Sequence, residues 1–208
     1  MPHEQKSRRE VLNAISAIPS IAELLSTHDD HFDYEIDLEV VVYGRNYNGK
    51  KVGPYVKLLN YDPGEAIINE GDWGGNSFYV VVDGKPEVYV NQPQNSGQAK
   101  VAELVPGTQF GEMSVLAGVP RNATVKAPAG ASVRILEVQR PALRLLRKLP
   151  KFADALDKTY RTHGRNSILE ELKPILGLTP EASEQLKTVA TFRVFTKSHV
   201  LFSQGSHV

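Results

Sequence analysis

Between residues 55 and 138, short runs of strand-forming residues alternate with turn-forming residues at regular intervals. The runs are rich in valine, isoleucine, tyrosine and phenylalanine, and the turns between them hold glycine, proline and aspartate. Many short strands separated by glycine turns are typical of a sandwich or a jelly-roll-like barrel, so this segment is predicted to be mainly β. The predicted strands cover residues 66–69, 77–82, 87–90, 101–104 and 133–138.

One stretch inside this segment, residues 110–125, contains a residue pattern typical of an anion-binding site. Gly111 precedes a short helix-compatible run that opens with Glu112, and the pair Pro120-Arg121 follows. A helix N-terminus presents unpaired N–H groups and the positive end of its dipole, and glycine lets an anion approach the backbone closely. Arg121 adds a charge-assisted contact to the same anion. Because a carboxylate binds phosphate poorly, Glu112 predicts a ligand that also carries a donating hydroxyl, as a cyclic ribonucleotide does.

The same stretch resembles the phosphate-binding cassette of cyclic-nucleotide-binding domains, which occur in kinase regulatory subunits, cyclic-nucleotide-gated channels and catabolite-activator-type regulators. That cassette reads Phe-Gly-Glu-aliphatic-(Ala/Ser)-Leu, a short spacer, and Pro-Arg-x-Ala-(Thr/Ser)-Val, and each element has a counterpart here. The glycines at 64, 71 and 84 also stand where these domains place theirs, so the resemblance covers about residues 58–150. It implies a double-stranded β-helix, a jelly-roll-like β-roll, with N-terminal and C-terminal helices.

The resemblance also implies a role for each cassette residue. Arg121 and the backbone amides around Ser114 and Ala123 would hold the cyclic phosphate. Glu112 would accept the ribose 2′-hydroxyl, and Gly111 would allow the close approach. The ligand-binding set predicted on this basis is Phe110, Gly111, Glu112, Met113, Ser114, Pro120, Arg121, Asn122, Ala123, Thr124 and Tyr160.

Two of these residues would lie near the base. Thr124 would offer a hydroxyl or a backbone contact near the base or the phosphate. In the resembling family an aromatic residue of a lid helix often stacks on the purine, and Tyr160 is the candidate here, with Phe152 and His163 behind it. The alternative role for all three aromatic side chains is helix packing.

The residue after the arginine influences which purine binds in the resembling family. A small residue there accompanies cAMP, and a threonine there favours cGMP. Asn122 fits neither pattern, and an amide both donates and accepts. The predicted ligand is therefore cAMP, as the commoner of the two, with cGMP as the alternative, and no cofactor is predicted. His28 and His31 flank two aspartates, which is too small a cluster for a metal site, so none is predicted there.

The N-terminal part of the chain is predicted to be helical, with a strand after it. Apolar residues recur at helical spacing over residues 4–26, with a break at the Pro19-Ser20 pair, and strict alternation over residues 33–43 predicts a half-buried strand. That strand is expected to pair with residues 51–60 through a turn at residues 45–49. The turn nearly matches a P-loop, but a lysine occupies the position of the required serine or threonine, so a hairpin is predicted instead.

Helices are predicted after the last strand, at residues 139–149, 152–162 and 167–176, and family members use such helices as a hinge and a lid. Residues 192–205 then repeat the pattern of residues 58–71, which predicts the opening of a second copy and hence a piece of a longer tandem protein. The alternative is an extra edge strand of a complete protein. The predicted organisation is an N-terminal helical segment (1–30), a β-roll (31–138), hinge and lid helices (139–178) and a truncated second domain (179–208).

Composition narrows the remaining possibilities. The chain has 208 residues, a formal net charge of zero and no cysteine, which excludes disulfides, thiol catalysis and cysteine–zinc sites. A balanced charge argues against a general nucleic-acid or membrane surface. The N-terminus has no apolar core of a signal peptide, and no apolar run approaches membrane-spanning length. A cytoplasmic protein is predicted, with neither nucleic acid nor membrane as a partner.

The function predicted from these features is that of a non-catalytic regulatory domain. It would bind a cyclic nucleotide and signal to a downstream effector by moving its hinge and lid helices. No nucleophile elbow, metal-ligand motif or complete P-loop supports an enzyme. Two alternatives remain, a fragment of a cyclic-nucleotide-responsive transcription regulator and a scaffold domain without a ligand.

Overall fold

The computed structural model describes residues 2–5, 7–18, 44–92 and 97–190. Within these ranges the fold is mainly antiparallel β with helices before and after the sheets, which confirms the predicted fold class. The predicted strand at residues 33–43, the histidines at 28 and 31 and the repeat at residues 192–205 lie outside the described residues.

Two sheets build the β-roll. The first has the strand order β1-β4-β11-β6-β9 and the second the order β5-β10-β7-β8, while β2 and β3 form a separate hairpin. All of the pairings are antiparallel. The strands are β1 (His3–Gln5), β2 (Arg45–Tyr47), β3 (Lys50–Val52), β4 (Val56–Tyr61), β5 (Ala66–Ile68), β6 (Ser77–Asp83), β7 (Glu87–Asn91), β8 (Gln98–Glu103), β9 (Gln109–Phe110), β10 (Thr124–Lys126) and β11 (Val133–Gln139).

Five helices complete the described part of the chain. They are α1 (Arg8–Ser16), α2 (Glu112–Ala117), α3 (Arg140–Leu146), α4 (Pro150–Leu176) and α5 (Pro180–Val189). The chain divides into two compact units, Met1–Tyr160 and Arg161–Val208. None of the helices within the described ranges is both long and apolar enough to cross a membrane.

The first unit has two apolar clusters, one on each face of the five-stranded sheet. Because neighbouring residues of a strand point to opposite faces, Leu58 and Leu59 of β4 enter different clusters. One cluster fills the space between the two sheets and contains Leu59, Val125 of β10 and Ile135 of β11. The other packs α1, α3 and the start of α4 onto the outer face, with Leu58 and Phe152 in it. The five-stranded sheet beside the cassette is therefore covered by apolar side chains on both faces.

Three details of the predicted secondary structure are wrong. Residues 4 and 5 are predicted to be helical but belong to β1, which pairs with β4 at the edge of the sheet. Residues 58–60 pair with β1 on one side and with β11 on the other, so they do not have the free edge that the predicted pairing of residues 51–60 with residues 33–43 requires. The two helices predicted between residues 152 and 176 are one continuous helix, α4. In the first two cases, pairing with a strand distant in sequence overrides the local pattern. In the third, helical hydrogen bonds continue through the residues where a break was predicted.

A hairpin turn is present at the P-loop-like stretch, although its strands are residues 45–47 and 50–52 and residues 45–47 were predicted to belong to the turn. β2 pairs with β3 around Asn48 and Gly49, both of which have positive φ angles (49° and 76°). Two consecutive left-handed residues, with the Asn-Gly sequence, form the turn that matches the twist of a two-residue hairpin. A strand therefore follows this turn, where a P-loop requires a helix.

Candidate functional site

The cassette is built on a helix of only six residues, α2, that is bounded by two glycines. Gly111 lies at its N-terminal end with a φ of 77°, and Gly118 lies at its C-terminal end with a φ of 69°. Both are left-handed conformations that residues with a Cβ rarely adopt. The N–H of Gly118 donates to the Ser114 carbonyl (3.1 Å), as expected of a glycine that ends a helix.

The Arg121 side chain is buried beside the N-terminal end of this helix. Its Nη1 donates to the Gly111 carbonyl at 2.6 Å and its Nη2 donates to the Ser77 carbonyl at 2.8 Å. The guanidinium carbon lies 5.6 Å from the centroid of the Tyr79 ring, and only 5% of the residue is exposed. The guanidinium thus joins the start of α2 to the start of β6.

The loop of residues 71–76 encloses Arg121 from a second side. Its backbone exchanges two hydrogen bonds with Arg121, from the Arg121 N–H to the Asp72 carbonyl (2.9 Å) and from the Gly71 N–H to the Arg121 carbonyl (2.7 Å). A Cβ on Gly75 would lie 2.4 Å from Arg121 Nη2, and a Cβ on Gly111 would lie 2.6 Å from Nη1. The guanidinium therefore occupies space that side chains at Gly75 and Gly111 would fill.

The sequence prediction missed this loop as part of the site. Gly75, Ser77 and Tyr79 contact Arg121 but precede the cassette by more than 30 residues. The Gly74-Gly75 pair directly before a strongly strand-forming run was the available signal, because such pairs mark places where another group approaches the backbone. The Ser77 hydroxyl donates to Glu137 Oε1 (2.6 Å), which fixes the beginning of β6.

Glu112 is the first residue of α2 and is 1% exposed. A carboxylate at this position interacts favourably with the helix dipole, which offsets part of the cost of burying it. Glu112 follows Gly111, whose carbonyl receives Arg121, so the buried acid and the buried base lie at the same end of the helix.

The other cassette residues divide into buried and exposed positions. Phe110 is buried and its ring stacks on Tyr79, with centroids 5.3 Å apart. Ser114 is buried within α2, whereas Asn122 is exposed. Half-buried positions are occupied by Met113, Pro120 and Ala123.

Thr124 is held in a hydrogen-bond network of its own. Its hydroxyl oxygen accepts from the Glu70 N–H (3.0 Å) and from Gln98 Nε2 (3.2 Å). Val125 faces the cluster between the sheets, so the alternation along β10 turns the Thr124 side chain to the other face. The hydroxyl oxygen therefore ties β10 to the neighbouring loop and to β8.

The three aromatic candidates for a base cap have different surroundings. Tyr160 lies on α4, is half-buried and is the last residue of the first unit. Phe152 is fully buried in the cluster beneath α3, with its ring 6.4 Å from that of Phe78. His163 belongs to the second unit and is half-buried. Phe152 is therefore a packing residue, because no part of it is open to a ligand.

Electrostatics at the site favour a neutral Tyr79 beside the arginine. Burial raises the pKa of Tyr79 and the Glu137 carboxylate raises it further, while the Arg121 charge opposes that rise. The phenol therefore stays neutral at physiological pH and its ring faces the guanidinium. Within the described ranges, no group of three or more His, Asp or Glu side chains is arranged to hold a metal ion.

Comparison with known proteins agrees with this geometry. Residues 58–148 match the family model of the cyclic nucleotide-binding domain. The cAMP-dependent protein kinase regulatory subunit of Schizosaccharomyces pombe is 30% identical over 122 residues, which cover 55% of this chain and 28% of the relative. The chain thus spans less than a third of that relative's length.

Two solved structures share the fold at lower identity. The regulatory domain of Toxoplasma gondii PKA, crystallised with cAMP, is 17% identical with a TM-score of 0.51 over 74% of this chain and 49% of that one. The regulatory subunit of a cAMP-independent protein kinase A from Trypanosoma brucei is 20% identical, with a TM-score of 0.50 over 73% of this chain and 46% of that one. Both comparisons show a shared fold and nothing more.

Proposed function

We propose that this chain, whose residues 58–148 are a cyclic nucleotide-binding domain, binds a cyclic nucleotide through Arg121 and Glu112 and acts as a non-catalytic regulatory domain. The observation that carries the proposal is the buried Arg121 guanidinium, which donates to two neutral backbone carbonyls. Carbonyl oxygens carry no formal charge, so these two hydrogen bonds do not neutralise the guanidinium. Because burying an isolated charge is costly, an anion beside it is strongly favoured.

The sugar contact is proposed for Glu112. An ionised carboxylate is an acceptor only, so it selects a hydroxyl group over a second phosphate oxygen. With the phosphate held at Arg121, the 2′-hydroxyl of a cyclic ribonucleotide is the donor that Glu112 would accept. The remaining proposed contacts are the backbone amides around Ser114 and Ala123, while the missing side chain of Gly111 leaves space for the Arg121 guanidinium.

The choice of purine is a finer proposal. The yeast relative is named a cAMP-dependent protein kinase regulatory subunit, and the Toxoplasma domain was crystallised with cAMP, so cAMP is the favoured ligand. A relative described as cAMP-independent shares the fold, so the fold alone does not choose the ligand. Asn122 is exposed beside Arg121, where its amide is compatible with either purine.

The regulatory output is proposed to pass through the helices after the β-roll. Residues 139–178 would act as a hinge and a lid, with Tyr160 covering the base and a downstream effector outside the described residues. A ligand shifts such helices only through unequal affinity for their two arrangements. The proposed effector is a protein kinase, since the Schizosaccharomyces pombe relative is a cAMP-dependent protein kinase regulatory subunit.

Thermal unfolding with cAMP and with cGMP tests the proposed function. At a hundredfold excess over its Kd, a ligand stabilises the folded state by about 2.7 kcal/mol. A chain of this size gains about 2–4 °C per kcal/mol, so the midpoint should rise by about 5–10 °C with the cognate nucleotide. No rise with either nucleotide at millimolar concentration would leave the scaffold alternative.

Replacing Glu112 with glutamine should make nucleotide affinity less sensitive to the 2′-hydroxyl. Hydrogen bonds to charged groups contribute about 1.5–3 kcal/mol, so the native chain should bind 2′-deoxy-cAMP roughly ten- to a hundredfold more weakly than cAMP. The Glu112→Gln variant should show a smaller preference for cAMP over 2′-deoxy-cAMP, because a neutral amide oxygen accepts the hydroxyl more weakly than a carboxylate does. Calorimetric titration of both proteins with both nucleotides measures how much the 2′-hydroxyl contributes to affinity in each. If the variant prefers cAMP over 2′-deoxy-cAMP as strongly as the native chain does, Glu112 does not bind the sugar.

Replacing Gly75 with alanine should weaken nucleotide binding at least tenfold. The new Cβ would lie 2.4 Å from Arg121 Nη2, and the guanidinium could retreat only by breaking its bonds to Gly111 and Ser77. The matched control is Gly130→Ala, since a Cβ there meets nothing within 4 Å. Titration of both variants with cAMP compares their affinities. Equal affinities would show that a side chain at Gly75 does not disturb the binding role of Arg121.

A further inference from the structure

Glu137 of β11 is connected to the anion site, although it belongs neither to the cassette pattern nor to the predicted ligand-binding set. It is half-buried and lies on the same sheet face as Ile135, because alternate residues of a strand point to the same face. Its register partner on β6 is Tyr79, whose ring faces Arg121. A carboxylate of β11 is thus directed into the space between the sheets, beside the strand that contacts Arg121.

Ser77 links Glu137 to Arg121. The Ser77 hydroxyl donates to Glu137 Oε1 (2.6 Å), and the Ser77 carbonyl accepts from Arg121 Nη2 (2.8 Å). Ser77 is only 6% exposed, and its hydrogen bond with Arg121 is buried. The carboxylate and the guanidinium are therefore separated by a single residue, in a region where charges are screened less than at the surface.

Both charges act on Tyr79. Burial raises the pKa of the Tyr79 phenol most, the Glu137 charge raises it further, and the Arg121 charge lowers it. Within the described ranges no cation forms an ion pair with Glu137, and Lys57, its register partner on β4, pairs with Glu4 (3.4 Å). The charge of Glu137 is therefore not neutralised by direct contact with a described cation and acts on the groups around Arg121.

We propose that Glu137 is a positioning residue that limits the affinity of the anion site, because its carboxylate opposes the negative charge that Arg121 attracts. This inference rests on the proposed function. In the ligand-free chain, Glu137 offsets part of the cost of burying Arg121. When a cyclic phosphate binds, a second negative charge enters the same region, and its repulsion by Glu137 reduces the gain. Glu137 therefore sets the nucleotide concentration at which the site fills.

Two substitutions separate the charge of Glu137 from its hydrogen bond. Glu137→Gln removes the charge and keeps an oxygen that accepts from Ser77, whereas Ser77→Ala keeps the charge and removes the hydrogen bond. The matched control is Glu103→Gln, which changes the net charge equally at an exposed carboxylate of β8 that pairs with Lys100 (2.6 Å). The full chain carrying each substitution is titrated with cAMP by calorimetry.

Glu137→Gln should bind cAMP about three- to tenfold more tightly than the native chain, because the opposing charge is gone. Ser77→Ala should bind no more tightly than the native chain, and Glu103→Gln should keep the native Kd within about twofold. Adding Glu137→Gln to the Ser77→Ala variant should give the same gain, since the charge acts without the hydrogen bond. A merely structural role, transmitted by that hydrogen bond, predicts no gain in the Ser77→Ala background.

A second comparison covers a Glu137→Gln variant that does not fold. Glu137→Met is then measured in the Ser77→Ala background, where no hydroxyl is left without its acceptor. The same gain over Ser77→Ala alone is expected, because the methionine side chain is also uncharged.

Equal or weaker cAMP binding in the uncharged variants overturns the inference, while the proposed function stands if the native chain binds cAMP. A gain that disappears in the Ser77→Ala background also overturns it, as does an equal gain in Glu103→Gln, which would make net charge the cause. If the native chain binds no cyclic nucleotide, the proposed function fails and the inference fails with it. Titration of the native chain distinguishes these cases.

Discussion

Replacing Arg121 with alanine should weaken cyclic-nucleotide binding at least tenfold and also lower the stability of the first unit. Truncating one partner of a buried charge pair costs about 2–5 kcal/mol of binding, which includes the cost of leaving the phosphate without its counter-charge. The Gly111 and Ser77 carbonyls also lose their donor, and each costs about 1–3 kcal/mol if it stays buried and unpaired. Calorimetric titration with cAMP, below the melting temperature of the variant, measures the first effect.

Two further variants separate the effect of Arg121 on nucleotide affinity from its effect on stability. Arg121→Lys keeps the charge but lacks the planar fork that reaches two carbonyls, so its affinity should lie between those of the alanine variant and the native chain. The control is Arg147→Ala, because Arg147 is a half-exposed cation whose ion pair with Asp157 lies away from the cassette. Native affinity in a folded Arg121→Ala variant would refute the phosphate assignment.

Replacing Phe152 with alanine should strongly destabilise the first unit while leaving nucleotide affinity nearly unchanged. The side chain is fully buried and its ring lies 6.4 Å from that of Phe78, so truncation removes a large apolar group and leaves a cavity. Such substitutions cost about 3–5 kcal/mol. At about 2–4 °C per kcal/mol, the midpoint should fall by about 6–20 °C.

Two controls accompany the Phe152 measurement. Phe152→Leu keeps much of the volume and should cost clearly less, whereas Val105→Ala removes an exposed side chain and should change the free energy of unfolding by no more than about 0.5 kcal/mol. Titration of Phe152→Leu with cAMP should give the native Kd. A Kd raised tenfold in that variant would instead indicate that the aromatic ring contacts the base.

The strands of the β-roll were predictable because their boundaries are local. Turn residues such as Gly64 and Gly84, which both have positive φ angles, end one run before the next begins. The cassette was predictable for a related reason, since Gly111, Glu112 and Arg121 lie within a single short stretch. Their chemistry points to an anion with a hydroxyl before any contact is known.

Contacts between distant segments were not predictable. The enclosure of Arg121 by Gly75, Ser77 and Tyr79 depends on the pairing of β6 with its neighbours, which no local pattern encodes. Residues 3–5 form a strand only because β4 offers an edge, although their own sequence favours a helix. The surroundings of Phe152 follow from the packing of α4 on the sheet, so the sequence could not decide between a lid and a core position.

A crystal structure of the chain with cAMP would show directly whether Arg121 and Glu112 hold the nucleotide. We expect a cyclic phosphate oxygen within about 2.7–2.9 Å of the Arg121 guanidinium, which is the length of a charge-assisted hydrogen bond. We also expect the ribose 2′-hydroxyl to donate to the Glu112 carboxylate. A nucleotide bound elsewhere, with the Arg121 guanidinium still bonded only to the Gly111 and Ser77 carbonyls, would contradict the proposal.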